Sequence, residues 1–289
     1  MSATPEPYVL PGEPLPQQRI RLVATDVDGT IVRPDGALTV RMREALQAVE
    51  RAGAHLVLVT GRPVRWMGDL AAQLGHTGTA VCGNGAVVYD LHEERVVRVR
   101  PLHPAAALET VRRLRAALDQ ASFAAETVEG FVHDPTYIPR WDAGLFDGAR
   151  PIEDVLSGDL PVLKLLCRDE TSTSDAMLAA AAPHLDGLVE VTHSNANDCL
   201  LEVSAPGVDK GSTLAQLAES LGVRREQVVA FGDMPNDVPM LRWAGTSYAV
   251  AGGHPDALAA TPRRAARVAE DGVAEVLEAL LAADLLGAE

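Results

Sequence analysis

Lysine is nearly missing from this 289-residue chain. It occurs only at Lys164 and Lys210, and every other residue of the 25 Lys plus Arg is an arginine. Where any cation would serve, the chain uses Arg, so a retained Lys points to a need for a compact ammonium. Cysteine is also scarce. Cys82, Cys167 and Cys199 are too few and too scattered for a disulfide scaffold or a zinc site, and read as buried thiols in a reducing compartment. No apolar run approaches the ~18 residues of a membrane span. The Pro-rich start, residues 1–18, lacks the apolar segment of a signal peptide and reads as a disordered leader. Basic charge is short overall: 25 Lys plus Arg against 40 Asp plus Glu gives a net charge of -15. That argues against nucleic acid or an anionic membrane as partner. A cytoplasmic protein remains, in which an anionic small substrate needs a local positive cluster or a metal ion.

What is present is a core-forming composition, 47% hydrophobic, in a chain long enough for two domains. Ile20–Thr25 reads as a buried strand, Val40–Ala52 as a helix capped by Thr39, and His55–Thr60 as a second strand. A helix to about Leu74 and a strand at Thr79–Cys82 follow. This alternation implies right-handed crossovers and a parallel sheet. The pattern then changes: a hairpin of Val87–Tyr89 and Val96–Val99, a helix from Pro104 to Asp119, and strands at Phe131–His133, Leu163–Cys167, Leu188–Val191 and Leu200–Val203. Residues 171–182 read as helix, and the Pro-, Gly- and Asp-rich stretch 134–158 as loop. Alternation returns with a helix at Gly211–Leu221, a strand at Val228–Phe231, a short helix closing at Trp243, a strand at Ser247–Ala251 and a helix at Val273–Leu286. The expected architecture is therefore α/β: a doubly wound parallel-sheet, Rossmann-like core over residues 19–86 and 206–289, with an inserted α+β cap over 87–205.

The chemistry-bearing groups lie at the predicted strand ends, where open α/β sheets place their sites. Asp26-Val27-Asp28-Gly29-Thr30 puts two carboxylates after the first strand. Alone, it reads equally as an acidic Asx turn or as a site in which one carboxylate is nucleophile and the other carries a proton. Gly stands fourth in the segment, which does not suit a calcium loop. Thr60-Gly61-Arg62 offers a hydroxyl and a backbone N–H to an anion. Lys210 precedes a helix, and Gly232-Asp233-Met234-Pro235-Asn236-Asp237 ends an apolar strand. Together, Asp26, Asp28 and Asp233 supply the few hard oxygens typical of a Mg2+ site, and Lys210 with Thr60 can hold two phosphate oxygens. The cation and Lys210 would keep Asp26 anionic, while Asp28, turned to the leaving group, stands ready to hold and donate a proton.

Taken in this order, Asp26-Val27-Asp28-Gly29-Thr30, Thr60, Lys210 and Gly232-Asp233-x-x-Asn236-Asp237 resemble the four motifs of the haloacid-dehalogenase-like phosphotransferase superfamily. Asn84-Gly85-Ala86, the split core and Lys210-Gly211 resemble its Cof-type phosphatases with a class IIB cap. The resemblance spans roughly residues 20–286. It implies that Asp26 is the nucleophile that forms an aspartyl-phosphate, and that Asp28 protonates the leaving oxygen and then activates water. It implies Mg2+ held by the Asp26 carboxylate, the Asp28 carbonyl and Asp233. It also implies a phosphate clamp of Thr60, Gly61 and Lys210, with Asn84 and Arg62 as further contacts. Asn236 and Asp237 would orient waters, Lys210 and the substrate. Two departures stand out: Thr213 where Ala is common, and Gly252-Gly253-His254 where Asn-Ala is common.

The implied function is Mg2+-dependent hydrolysis of a small phosphorylated metabolite, such as a sugar phosphate, by a monomer or weak homodimer. A phosphomutase or phosphotransferase on the same fold, and a catalytically silent metabolite-binding regulator, are the competing readings. Outside the motifs, His133, His184, His193 and His254 show no metal-ligand spacing and read as surface or loop residues, and Cys82 reads as core. Trp141 with Arg140 sits in the loop-rich part of the cap. Lys164 either faces the cleft or snorkels at the surface.

Overall fold

The structure is a computed structural model that describes residues 15–140 and 146–288. Fourteen strands and nine α-helices follow one another along these residues. They are β1 (Leu22–Thr25), α1 (Val40–Arg51), β2 (His55–Val59), α2 (Gly68–Leu74), β3 (Thr79–Cys82), β4 (Val87–Asp90), β5 (Arg95–Val99) and α3 (Pro104–Ala117). Next come β6 (Ser122–Thr127), β7 (Phe131–His133), β8 (Phe146–Ala149), α4 (Ile152–Leu156), β9 (Val162–Arg168), α5 (Ser174–Leu185), β10 (Glu190–Thr192) and β11 (Leu200–Ser204). The last are α6 (Lys210–Ser220), β12 (Val228–Gly232), α7 (Val238–Trp243), β13 (Thr246–Val250), α8 (Pro255–Ala260), β14 (Arg264–Ala265) and α9 (Gly272–Ala282).

The larger sheet has the order β14-β13-β12-β1-β2-β3-β4-β5. β1 pairs in parallel with β2 on one side and β12 on the other, so the chain winds outward twice from β1. The crevice at a topological switch point opens at the carboxyl ends of these strands, and the two halves of the split core meet there. Period-2 alternation decides which helices cover which face. Val23, Leu56 and Leu58 pack with Met42, Leu46, Leu277 and Leu280 of α1 and α9. Leu22, Ala24, Val57 and Val59 pack with Leu214, Ala218, Met240 and Leu241 of α6 and α7.

The hairpin β4–β5 differs from expectation. It pairs antiparallel onto β3 and extends the larger sheet, so by sheet membership the insert begins after Val99 rather than at residue 87. At the other end, Leu15 packs against the core and Pro16 is buried, inside the stretch expected to be a leader. The remainder of that leader and Trp141 lie outside the described residues.

The smaller sheet runs β10-β11-β9-β6-β7-β8, antiparallel except for β7 with β8. β6, β8 and α4 were not expected, the last two falling in the stretch read as loop. α3 and α5 cover one face of this sheet, where Phe123, Ala125, Leu165, Cys167, Leu201 and Val203 are buried. The alternate residues, among them Glu126, Lys164, Leu166, Arg168, Leu200 and Glu202, face a cavity of about 520 Å3 whose opposite wall includes Asp26, Asp28 and Thr60. The smaller sheet thus roofs the strand ends of the larger one. No helix among the described residues is long and apolar enough to cross a membrane.

Candidate active site

The turn after β1 is fixed by Gly29. Its φ is +83°, and a Cβ there would stand 2.5 Å from Asp233 Oδ2. Only glycine allows this segment to approach the β12 loop so closely. Thr30 Oγ1 donates to Asp233 Oδ1 at 3.1 Å, which ties the two strand ends together. Lys210 is the first residue of α6, whose start is set by the Asp209 cap on the Ser212 N–H. Its fully buried Nζ lies 2.5 Å from Asp26 Oδ1 and 2.6 Å from Asp237 Oδ1. Asp237 Oδ2 accepts the backbone N–H groups of Asp233 and Met234 at 2.8 and 2.9 Å. Both oxygens of Asp237 are therefore filled. One oxygen holds Lys210 and the other the start of the Asp233 loop.

Asp26, Asp233 and Asp237 bring ligand oxygens within 4.8 Å of one another. Three buried carboxylates face the single ammonium of Lys210, so ionising all three would leave two negative charges uncompensated. Burial, only partly opposed by Lys210, pushes the Asp26 carboxyl well above its ordinary range, and the neighbouring Asp237, Asp233 and Asp28 push the same way. Burial and then Asp237 raise Asp233 to about 7. Lys210 responds in the opposite sense: burial disfavours its charge, but Asp237 and Asp26 outweigh that and hold it protonated. The buried Asn236 Oδ1 has no hydrogen-bond partner. A charge deficit of two, carboxylate donors and an orphaned amide oxygen suit a hard divalent cation bound through oxygen.

Asp28 is set apart. Its side chain is 58% exposed to the cavity, and Arg62 donates to both its oxygens, at 2.8 and 2.5 Å. Arg62, expected as a further phosphate contact, is bonded here to Asp28 on the cavity wall. Thr60 Oγ1 accepts the Arg62 backbone N–H at 3.0 Å, and its own hydroxyl proton has no acceptor among the described residues. Gly61 and Asn236 also line the cavity. Asn84 lies behind Gly61 with φ +55°, a left-handed conformation that Asn tolerates. It accepts from Asn236 Nδ2 at 3.1 Å and donates to Glu202 Oε2 at 3.0 Å.

That last bond leads to residues the sequence reading missed. Glu202 pairs with Lys164 at 2.7 Å, and Lys164 Nζ also donates to the Gly61 carbonyl at 2.8 Å. Lys164 is 4% exposed and lines the cavity, so of the two expectations it faces the cleft, with its ammonium held by Glu202 and Gly61. The smaller sheet is thus hydrogen-bonded to the loop that would receive phosphate. Arg65 and Glu126 form a second link between the sheets. Further along the roof, Arg168 lies over the Tyr137 ring and bonds Asp198 at 2.9 Å, and Asp198 also receives Arg140. Lone charges at alternate positions of otherwise apolar strands, Lys164 and Arg168 in β9 and Glu202 in β11, were the available signal. Cys82 is buried, and burial pushes its thiol up to about 12, in keeping with a core role.

A sequence profile of the haloacid dehalogenase-like hydrolases matches residues 23–277. The 5-amino-6-(5-phospho-D-ribitylamino)uracil phosphatase YitU of Bacillus subtilis is 27% identical over 266 residues, covering 89% of this chain and 96% of that one. The pyridoxal phosphate phosphatase YbhA of Escherichia coli is 26% identical over 246 residues, covering 80% and 87%. Among solved structures, a haloacid dehalogenase-like hydrolase from B. subtilis superposes with a TM-score of 0.78 at 20% identity, over 90% of this chain and all of that one.

Proposed function

The chain belongs to the haloacid dehalogenase-like hydrolases, and from that premise we propose that it is a Mg2+-dependent phosphatase of a small phosphorylated metabolite, working through an aspartyl-phosphate on Asp26. The named relatives are phosphatases of small phosphorylated compounds. The observation that carries the reading is the fully buried Lys210, held between Asp26 and Asp237, which leaves the second oxygen of Asp26 without a hydrogen-bond partner among the described residues at the cavity wall.

In this reading Asp26 and Asp233, with the Asp28 carbonyl, hold Mg2+, which when bound neutralises charge on the phosphoryl oxygens. Lys210 keeps Asp26 oriented. The Thr60 hydroxyl and Arg62 hold phosphoryl oxygens, and the dianion gives Arg62 a partner in place of Asp28. Asp28, once released, protonates the ester oxygen as Asp26 attacks phosphorus in line and the P–O ester bond breaks. Asp28 then takes a proton from the water that attacks the aspartyl-phosphate, which frees inorganic phosphate and regenerates Asp26. The roof, with Phe131, Tyr137 and Leu166 beside paired charges, receives the leaving group.

The test is phosphate release from p-nitrophenyl phosphate and a panel of phosphorylated metabolites, with and without Mg2+. Mg2+-dependent turnover abolished by Asp26→Asn is expected. Activity retained in Asp26→Asn, or phosphate moved between positions of one substrate without release, would overturn the reading.

A further inference from the structure

His193 and His254 lie far apart in sequence, yet the fold brings them together. Their rings meet edge to face with centroids 5.6 Å apart. Both Nε2 atoms point at Asp175 Oδ1, at 2.8 Å from His193 and 3.1 Å from His254. Asp175 lies in the first turn of α5 and His193 just after β10, both in the insert. His254 caps α8 in the core. One donor atom from each of the three lies within 4.8 Å of the others. Of the expectation of surface or loop histidines, the loop part holds for both, but neither is at the surface: His193 is 1% exposed, and the His254 side chain 10%.

We propose that Asp175, His193 and His254 form a binding site for a borderline divalent transition metal, Zn2+ above all, that fastens the insert to the core. Two imidazoles and one carboxylate are a ligand set for Zn2+, whereas Mg2+ prefers oxygen throughout. Tetrahedral bonds of about 2.1 Å need donors about 3.4 Å apart. The observed separations of 2.8 and 3.1 Å reach this by opening a few tenths of an ångström. The protons can be accommodated. His254 Nδ1 now accepts the Asp256 backbone N–H at 3.1 Å, so its proton sits on Nε2. A metal on Nε2 shifts that proton to Nδ1, which then gives up the Asp256 N–H and reaches an Asp256 carboxylate oxygen, now 3.7 Å away, by a small approach; a carboxylate is the usual outer partner of a ligating histidine. His193 Nδ1 is buried without a partner, so the proton that leaves Nε2 displaces no bond there, and the metal takes the place of the Nε2 bond to Asp175.

A bond across this seam resists separation of the two sheets. Its core anchor is close to the candidate Mg2+ site, because the His254 N–H donates to the Asp233 carbonyl at 2.7 Å. The metal site stands whether or not the chain is a phosphatase; its effect on turnover rests on that reading.

The test uses the full chain carrying Asp233→Asn, which disables the carboxylate site, titrated with Co2+ as a spectroscopic probe. One Co2+ per chain is expected, with the visible bands of tetrahedral coordination, displaced by Zn2+ but not by excess Mg2+. Adding His254→Asn, which still caps α8, or separately His193→Asn, should weaken binding at least about tenfold. No saturable Co2+ or Zn2+ binding, or binding unchanged in both variants, overturns the site. With Asp233 restored and Mg2+ saturating, Zn2+ should slow phosphate release in the wild type and not in His254→Asn; equal inhibition of the two overturns the fastening.

Discussion

Replacing Lys164 by Met removes half of a buried ion pair and strands the other half. The Lys164 and Glu202 side chains are only 5% and 6% exposed. Met fills nearly the same volume, so packing changes little. What remains is a buried carboxylate held by Asn84 alone and a Gly61 carbonyl without its donor. Removing one partner of such a pair destabilises by about 3–5 kcal/mol, of which the lost bond to Gly61 accounts for about 1–3 kcal/mol. The pH dependence separates this cause from a packing defect. In the wild type, burial would raise the Glu202 carboxyl, but the charge and hydrogen bond of Lys164, helped by Asn84, outweigh it and hold the group below 4.5. A lowered native value means stability that is complete above the unfolded-state pKa and is lost as pH falls through the native one. In Lys164→Met burial acts almost unopposed, so Glu202 takes up a proton at mildly acidic pH and the penalty relaxes. Urea unfolding followed by circular dichroism should therefore show a deficit that is full near pH 8 and shrinks toward about pH 5. Lys164→Met combined with Glu202→Leu should recover most of it. A deficit below about 1 kcal/mol, or one that stays constant with pH, would refute the reasoning.

Other perturbations probe the site itself. Asp233→Asn removes a carboxylate that burial and Asp237 raise to about 7. In EDTA it should stabilise the protein by about 1–3 kcal/mol and erase the rise in melting temperature caused by Mg2+, as calorimetry would show; a destabilised metal-free variant contradicts the repulsion described here. For the same reason Asp233 is partly protonated near pH 6 in the metal-free protein. Mg2+ binding should then release protons, with affinity rising with pH and levelling above about 7. Calorimetric titration in buffers of different ionisation enthalpy reads the proton count, and none released near pH 6 would count against it. Arg62→Ala breaks a pair whose side chains are 21% and 58% exposed. It should cost under about 1 kcal/mol of stability yet lower kcat/KM at least about tenfold, mainly through KM. A large stability loss with unchanged KM would make Arg62 structural.

The candidate site was legible because its groups sit in short motifs at strand ends, where local pattern and topology agree. Asp26, Asp28, Thr60, Lys210 and Asp233 all gather about the same crevice. The roof was less legible because its charges mean something only after pairing. Glu202 in Leu200–Ser204 is a lone acid until β11 lies beside β9 and brings it to Lys164. β6 was missed since Ser-Phe-Ala-Ala-Glu-Thr has little intrinsic strand preference; pairing with β7 and β9 on both sides makes it a strand. The hairpin β4–β5 was found, but its allegiance depends on an edge of β3 that no local pattern reveals. The histidines at 193 and 254 escaped for the same reason: spacing along the chain says nothing about groups that two different sheets bring together.

The bonds across the seam also show how the cavity could open without a large penalty. Lys164 and Glu202 both belong to the smaller sheet, whereas their partners Gly61 and Asn84 belong to the core. Lifting the insert leaves the ion pair whole and parts two hydrogen bonds to charged groups, together worth about 3–6 kcal/mol. Arg65 with Glu126 and His254 with Asp175 are exceptions; the Arg65 guanidinium and the Asp175 carboxylate are already partly solvated, so water can replace their partners as the seam parts. Had Lys164 paired with a core carboxylate instead, opening would have left two buried charges unmatched, at several kcal/mol each. The placement of both charges on one sheet would thus let the roof hold the Gly61 loop when closed and still release it.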